Sequence, residues 1–406
     1  MAGIEDFEYE KYRKIFNHHR YPLAFVDLDQ FDKNIAYVAS TQKNTGKTIR
    51  VASKSIRCLD LLKRVFKKGK GAYRGILSFT LEEAGYLIEN GLDDIIVAYP
   101  TIQQSDIDIF VEKTGQGANL SLVVDCPEHL KMLSDAGEKA GVVLNTCLDI
   151  DMSYKPFGEL AHIGVRRSPV NDIDHAVRMA KASEKLAGVK IGSIMGYEAQ
   201  IASVNDDYPG QSITNTAVRF VKNKSVKELT KRRGRIIKAL KFEGLDLAVV
   251  NGGGSGSLVS TGKDRSVTEV TAGSAFFAPG LFRYFKQVKF KPSAFFGLRV
   301  TRIPDKGILT CQGGGYVASG EPGASRLPVP LMPKGLKYIK IEGAGEVQTP
   351  LVLSKNTRTM NINDPVFFQH AKAGELCERF NTLYLVENGK IIKRVPTYRG
   401  QGNAFL

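Results

Sequence analysis

The chain has 406 residues, 43% hydrophobic and 24% charged, with a formal net charge of +15. That length favours two domains over one compact core, and the composition is that of a globular protein. No apolar run approaches the roughly 20 residues that span a bilayer, which argues against a membrane partner. The basic residues peak at Lys63 to Lys70 and Lys222 to Lys241, both of which read as solvated helix faces. No aromatic-interleaved basic motif accompanies them, so the expected partner is a small anionic molecule and no nucleic acid. Five scattered cysteines, odd in number and without a C-x-x-C pair, fit free thiols in a reducing compartment. The polar, acidic stretch Met1 to Tyr12 does not read as a secretory signal, and a cytoplasmic location is expected.

From residue 22 to about 280, short apolar strands alternate with amphipathic helical segments. Strands are expected at Leu23 to Leu28, Ile49 to Ser53, Gly75 to Phe79, Asp94 to Ala98, Leu120 to Val124, Val142 to Ile150, Lys190 to Met195, Leu247 to Val250 and Val267 to Thr271. Between the first two, Phe31 to Thr41 places Phe31, Ile35 and Val38 on one helix face. Leu81 to Asn90 follows Thr80, with Glu83 in capping-box spacing, and stops at Gly91. Strict alternation predicts an α/β fold, a (β/α)8 TIM-type barrel of parallel strands. Nine candidates for eight places leave one outside the barrel, and the first is the suspect.

After Phe285 the pattern changes to β-like runs separated by Gly and Pro: Ala294 to Arg302, Gly307 to Thr310, Tyr338 to Glu342, Pro365 to Phe368, Thr382 to Glu387 and Lys390 to Val395. Asn388-Gly389 is a hairpin turn signal. Gly313 to Pro328 is too rich in Gly and Pro for regular structure and reads as a functional loop. The expected division is a barrel over 20–285 and a C-terminal all-β domain over 286–406, with residues 1–19 free to pack on the latter.

Lys54 ends the strand in Val51-Ala52-Ser53-Lys54-Ser55. Burying an ammonium is costly, whereas an amine consumed in a Schiff base is not charged in this way. A strand-end lysine whose head reaches solvent is the alternative. Leu148-Asp149-Ile150-Asp151 puts two carboxylates on one side of a strand. His162, Arg166 and Arg167 follow as acid/base and anion-binding candidates, unless the segment is a solvated charged loop. Tyr197 lies at a strand end, where its ring could stack on a planar cofactor. Asn251-Gly252-Gly253-Gly254-Ser255-Gly256-Ser257 follows a strand, and Thr271-Ala272-Gly273-Ser274 makes a second small-residue turn. Late barrel strands carry phosphate in turns of this kind, though a flexible glycine turn reads the same way. No Lys-Ser/Thr follows in P-loop spacing. The run His370 to Phe380 holds His, Glu and Cys close together, without a structural-zinc spacing.

Together these runs resemble the fold-type III pyridoxal-phosphate enzymes, a group with alanine racemase, D-threonine aldolase and D-serine dehydratase. The likeness is strongest to the D-threonine-aldolase-like branch labelled amino acid deaminase/aldolase. It extends through Gly343 to Pro350 and Val395 to Gly400. It implies a barrel with a C-terminal β domain and pyridoxal 5'-phosphate bound to Lys54 as a Schiff base. Tyr197 would lie by the cofactor ring. Asn251, Gly253, Gly254, Ser255, Gly256, Gly273 and Ser274 would hold the phosphate, with His162 and Arg166 in further cofactor contacts. A head-to-tail homodimer is also implied. Several relatives carry an arginine before an x-Gly-Val pattern, where this chain has His162. His370 matches the family's metal-binding histidine. Two residues on, where relatives carry aspartate or cysteine, stands Lys372, whose ammonium would take the metal's place unless Cys377 serves as ligand. The implied activity is a lyase on a β-hydroxy-D-amino acid, by retro-aldol cleavage or dehydration, with His370 as base. An amino acid racemase using Tyr316, or a non-catalytic cofactor carrier, are the alternatives.

Overall fold

The computed structural model describes residues 4–355 and 357–405. Eight parallel strands close a barrel in the order Thr48–Ala52, Tyr73–Ser78, Ile95–Val97, Leu120–Val124, Leu144–Asp149, Val189–Gly196, Val249–Gly252 and Glu269–Ala272, the last pairing with the first. The remaining early strand, Leu23–Asp27, lies elsewhere. It is a central member of a nine-stranded sheet, antiparallel to Ala294–Asp305 and parallel to Thr382–Glu387. Helix Ile4–Ile15 packs on that sheet through Tyr12, whose ring lies 4.7 Å from Phe25 and 5.9 Å from Phe367. The Tyr12 hydroxyl donates to Asp27 at 2.5 Å, and Asp27 also caps the first barrel helix, Leu28–Gln42. One carboxylate thus joins the terminal helix, the sheet and the barrel.

The hairpin Thr382–Glu387 to Lys390–Pro396 turns at Asn388 and Gly389, both at positive φ as a type I′ turn requires. Two strands of the sheet, Val329–Met332 and Gln348–Leu353, are concealed in the sequence by Pro330 and Pro350, since proline within a run argues against a strand. The expected strand Tyr338 to Glu342 is instead the end of Leu336–Tyr338. The chain turns at Ile339, whose carbonyl accepts the Glu342 and Gly343 amides.

The lysine-rich stretch Lys222 to Lys241 falls in the helix Ser212–Phe242, and it is not wholly a solvated face. Lys222 is buried on Asp206 and on the Val204 carbonyl. Arg233 is buried between Asp264, at 2.9 Å, and Glu198. These cations tie the helix to loops at the barrel rim. None of the described helices is long and apolar enough to cross a membrane.

Alternation divides the barrel strands cleanly. Ile49, Val51, Leu148, Val250 and Val270 face the helices, while Ile96, Val123, Cys147 and Met195 fill the interior. Arg50, 1% exposed, also points inward. It donates to Glu269 at 2.5 Å and to Asp94 Oδ1 at 2.8 Å, and Asn251 donates to the same Glu269 oxygen at 2.7 Å. Removing the cation would leave Glu269 buried without its main partner. Arg50→Met is therefore expected to cost about 3–5 kcal/mol of unfolding free energy. Denaturant melts of the two proteins would show it, and an unchanged midpoint would refute the pairing.

Candidate active site

The C-terminal ends of the barrel strands gather the chemistry. Lys54 sits in a single 3₁₀ turn, Ser53–Ser55, directly after the strand Thr48–Ala52. Its Nζ donates to the Tyr99 hydroxyl at 2.9 Å and lies 5.2 Å from that ring's centroid. Tyr99 stands two residues beyond the strand Ile95–Val97. Burial pushes its phenol upward, but the Lys54 and Arg167 cations overcome this and hold it below the usual tyrosine value. Arg167 lies 5.0 Å from the Tyr99 ring and 6.0 Å from the Tyr197 ring. It is fixed by Asp149 Oδ2 at 2.8 Å and the Ala98 carbonyl at 2.6 Å. Burial raises the Asp149 carboxyl to about 6, against the pull of Arg167.

Beside the lysine turn, the two glycine-serine turns meet. The Ser255 hydroxyl accepts the amides of Gly273, at 3.2 Å, and Ala275, at 3.0 Å. Gly273 in turn packs against Lys54's own segment. A side chain there would come within 2.7 Å of Ser55 Oγ and 2.8 Å of Ala52 Cβ. Ser55 Oγ and Ser274 Oγ are 3.5 Å apart. Gly254 lies under Tyr197, and a Cβ on it would sit 3.0 Å from the ring. Lys54, Tyr197, Gly254, Ser255, Gly273 and Ser274 therefore share one rim. Two of the grouped residues have other employment. The Gly256 amide is spent on the Ala202 carbonyl at 3.1 Å, and Gly253 packs toward Thr261 and Ser257. Asn251 points into the barrel interior, bonded to Glu269 and Thr271, because alternation along its strand turns it away from the rim.

The segment after the strand Pro365–Gln369 reaches this rim from the other domain. Gly374 has no room for a side chain, as a Cβ would fall 2.5 Å from the Lys54 carbonyl oxygen. His370 is buried, with Nε2 on the Ala373 carbonyl at 2.7 Å and Nδ1 without a hydrogen bond. Burial lowers its pKa to about 4, so the imidazole is neutral. Cys377 donates its thiol to the Ile56 carbonyl at 3.2 Å, and burial raises that thiol. Lys372 reaches Ser319 Oγ at 2.6 Å, joining the Gly- and Pro-rich loop to this segment. His370 and Cys377 thus hold different backbone carbonyls. Among the described residues, no third His, Cys, Asp or Glu gathers with them in a ligand cluster. This set does not fit a metal. Tyr316 packs at 5.0 Å from Phe296 and 5.4 Å from Phe380 within its own sheet.

His162 and Arg166 are not brought to the lysine. His162 bonds the Val165 carbonyl of its own loop at 3.2 Å, and Arg166 is exposed. Asp151 lies beyond its strand and spends both oxygens on Ser153. The neighbour Arg167 takes the inward place, because only that side chain can reach Asp149. Tyr99 escaped the sequence reading. Its signal, an aromatic just past a barrel strand, is the same one that marked Tyr197.

Beneath the lysine turn, Glu83 is fully buried and accepts Tyr398 Oη at 2.9 Å and the Phe79 amide at 3.0 Å. Burial raises its pKa from 4.5 to about 7. The folded state then favours the protonated carboxyl, so stability falls as pH rises from 4.5 through about 7. Glu83→Gln removes that titration, and its melting temperature should decline less than the parent's between about pH 5 and about pH 8. Parallel slopes for the two proteins would contradict the assignment.

The alanine racemase N-terminal domain model matches residues 26–279. A 3-hydroxy-D-aspartate aldolase from Paracoccus denitrificans (strain Pd 1222) is 23% identical over 63% of this chain and 60% of its own. A D-threonine aldolase from Arthrobacter sp. is 21% identical over 64% of this chain and 61% of its own. The chain thus spans about three-fifths of the length of the curated relatives it matches. Among solved structures, a D-threonine aldolase from Filomicrobium marinum superposes with a TM-score of 0.80 at 20% identity, covering 94% of this chain and 95% of its own. A D-threo-3-hydroxyaspartate dehydratase from Delftia sp. HT23 gives 0.72 at 18%, covering 94% and 98%. The solved structures share the barrel and the appended sheet as a fold, the family model spans the barrel, and the chain belongs to the alanine racemase N-terminal domain family.

Proposed function

We propose that this protein is a pyridoxal 5'-phosphate-dependent lyase acting on a β-hydroxy-D-amino acid. The observation that carries the proposal is the shared rim. One amine, one tyrosine ring and a set of converging amide and hydroxyl groups surround the same opening. Those groups fit the cofactor: Lys54 for its aldehyde, Tyr197 for its ring, and, for its phosphate, the Ser255 and Ser274 hydroxyls with the Gly273 and Ala275 amides, which now converge on Ser255 Oγ as they would on a phosphate oxygen. The names of the relatives support the reaction class and the substrate class.

When bound, the cofactor supplies an electron sink for negative charge developing on the substrate. The residues of the chain do the rest. Arg167, braced by Asp149 and the Ala98 carbonyl, fixes the positions of the Tyr99 and Tyr197 rings and adds positive charge to the mouth. Tyr99 Oη is placed to exchange a proton with Lys54 Nζ or with a substrate hydroxyl, and its lowered pKa suits it to that task. His370, the base expected from the family likeness, is neutral and committed to Ala373. It braces the loop that presses Gly374 onto the Lys54 turn.

We extend the proposal to a cytoplasmic homodimer. The five free cysteines fit a reducing compartment. Phe157 and Leu160, near the mouth, and Ile341 and Val347, on the sheet's loops, are exposed apolar residues that a second copy would cover.

Purified protein should carry the visible absorption of lysine-bound cofactor, and Lys54→Ala should lose both the band and turnover. A panel of D- and L-β-hydroxy amino acids, read for glycine, aldehyde and ammonia, tests the reaction. Product from D-isomers is expected, and product from none of them would refute the lyase. Tyr99→Phe should lower kcat by roughly 10²–10⁴-fold while retaining cofactor. A variant with parental kcat would remove Tyr99 from the chemistry.

A further inference from the structure

A second cluster lies on the same rim. Asp125 follows the strand Leu120–Val124, Cys126 begins the helix Pro127–Ala140, and His129 stands in its first turn. One ligand atom from each lies within 4.8 Å of the others, and all three residues are partly buried. The run Asp-Cys-x-x-His places them together because a strand end and one helical turn bring these positions to a single side. Cys126 occupies the helix N-cap, where its thiol faces the His129 amide and the Glu128 carboxylate. His129 Nδ1 lies 3.1 Å from Asp125 Oδ1, an imidazole–carboxylate pair. A divalent ion can replace the protons that these three groups hold among themselves.

We propose that Asp125, Cys126 and His129 bind a divalent ion of the zinc class, with a fourth coordination position open at the barrel mouth. Carboxylate, thiolate and imidazole are the ligands such an ion takes, and three protein ligands with one open position is the catalytic form of the site. A carboxylate and a thiolate together neutralise a divalent charge; burial raises the Cys126 thiol, and the charge of a bound ion would offset that. Arg167 is the neighbouring cation, and its charge is committed to Asp149 at 2.8 Å. Glu128, on the same turn, is exposed, and its carboxylate accepts the Cys126 thiol, a contact that ion binding would release. Among the described residues this is the group of three such side chains whose ligand atoms gather, and it is separate from the segment around His370. The proposal does not depend on the lyase reading.

Cobalt(II) is the probe. Metal-stripped full-length protein should bind one equivalent of Co²⁺ with a thiolate-to-cobalt charge-transfer band, and Zn²⁺ should displace it. Cys126→Ser should abolish the band. His129→Gln should weaken binding roughly tenfold or more. His370→Asn and Cys377→Ser should leave band and affinity unchanged. A measurement on the unaltered protein guards against misfolded variants. Cys126 is the one partly exposed cysteine, the other four being buried. Zn²⁺ should therefore protect it from iodoacetamide in a peptide map. Failure to bind stoichiometrically, binding without the band, unchanged alkylation of Cys126, or loss of the site in His370→Asn would each overturn the proposal.

Discussion

The five residues from Ser53 to Arg57 are held from two domains at once, and the site depends on that double grip. From the barrel side, Ser53 Oγ bonds the Leu77 carbonyl and Gly273 presses on Ala52 and Ser55. From the sheet side, Gly374 touches the Lys54 carbonyl, Cys377 takes the Ile56 carbonyl and the Tyr398 amide takes that of Arg57. Arg57 closes the clamp with Glu378. The sheet satisfies the Ile56 and Arg57 carbonyls, and Arg57 Nε takes that of Lys54 at 3.1 Å, so the short turn is fixed by bonds from both inside and outside it. The direction in which Lys54 points is thus set by packing between the barrel and the sheet.

The mouth is an electrostatic balance as well as a shape. Asp149 holds Arg167, Arg167 faces Tyr99, and Tyr99 meets Lys54. The carboxyl is raised by burial, while the phenol is lowered by the cations beside it. Paired opposite shifts at one opening are what acid–base work near neutrality requires.

Much of this was legible in the residues. Period-two and helical patterning announced the barrel, because alternation is dictated by which face of a strand is covered. Asn388-Gly389 announced a hairpin, because few other pairs accept two positive φ angles. Lys54 and the turns at Ser255 and Gly273 announced the rim. The failures have equally physical causes. Pro330 and Pro350 masked strands that tolerate them. Asn251 and Arg166 were placed by sequence neighbourhood, yet a one-residue step along a strand or loop reverses which way a side chain faces. Tyr99 gave no signal apart from its position. The pairing of Leu23–Asp27 with strands near the end of the chain leaves no trace in local pattern at all.

That pairing bears on how the molecule is made. A ribosome releases Leu23–Asp27 long before Thr382–Glu387, yet the two lie side by side, Phe25 opposite Tyr384. The barrel strands lie wholly between them and can close while synthesis continues. The sheet, and with it the outer half of the grip on Lys54, must await Thr382–Glu387 and its hairpin partner Lys390–Pro396. The newborn chain can therefore form its cavity before the sheet's half of the grip on the Lys54 turn is in place.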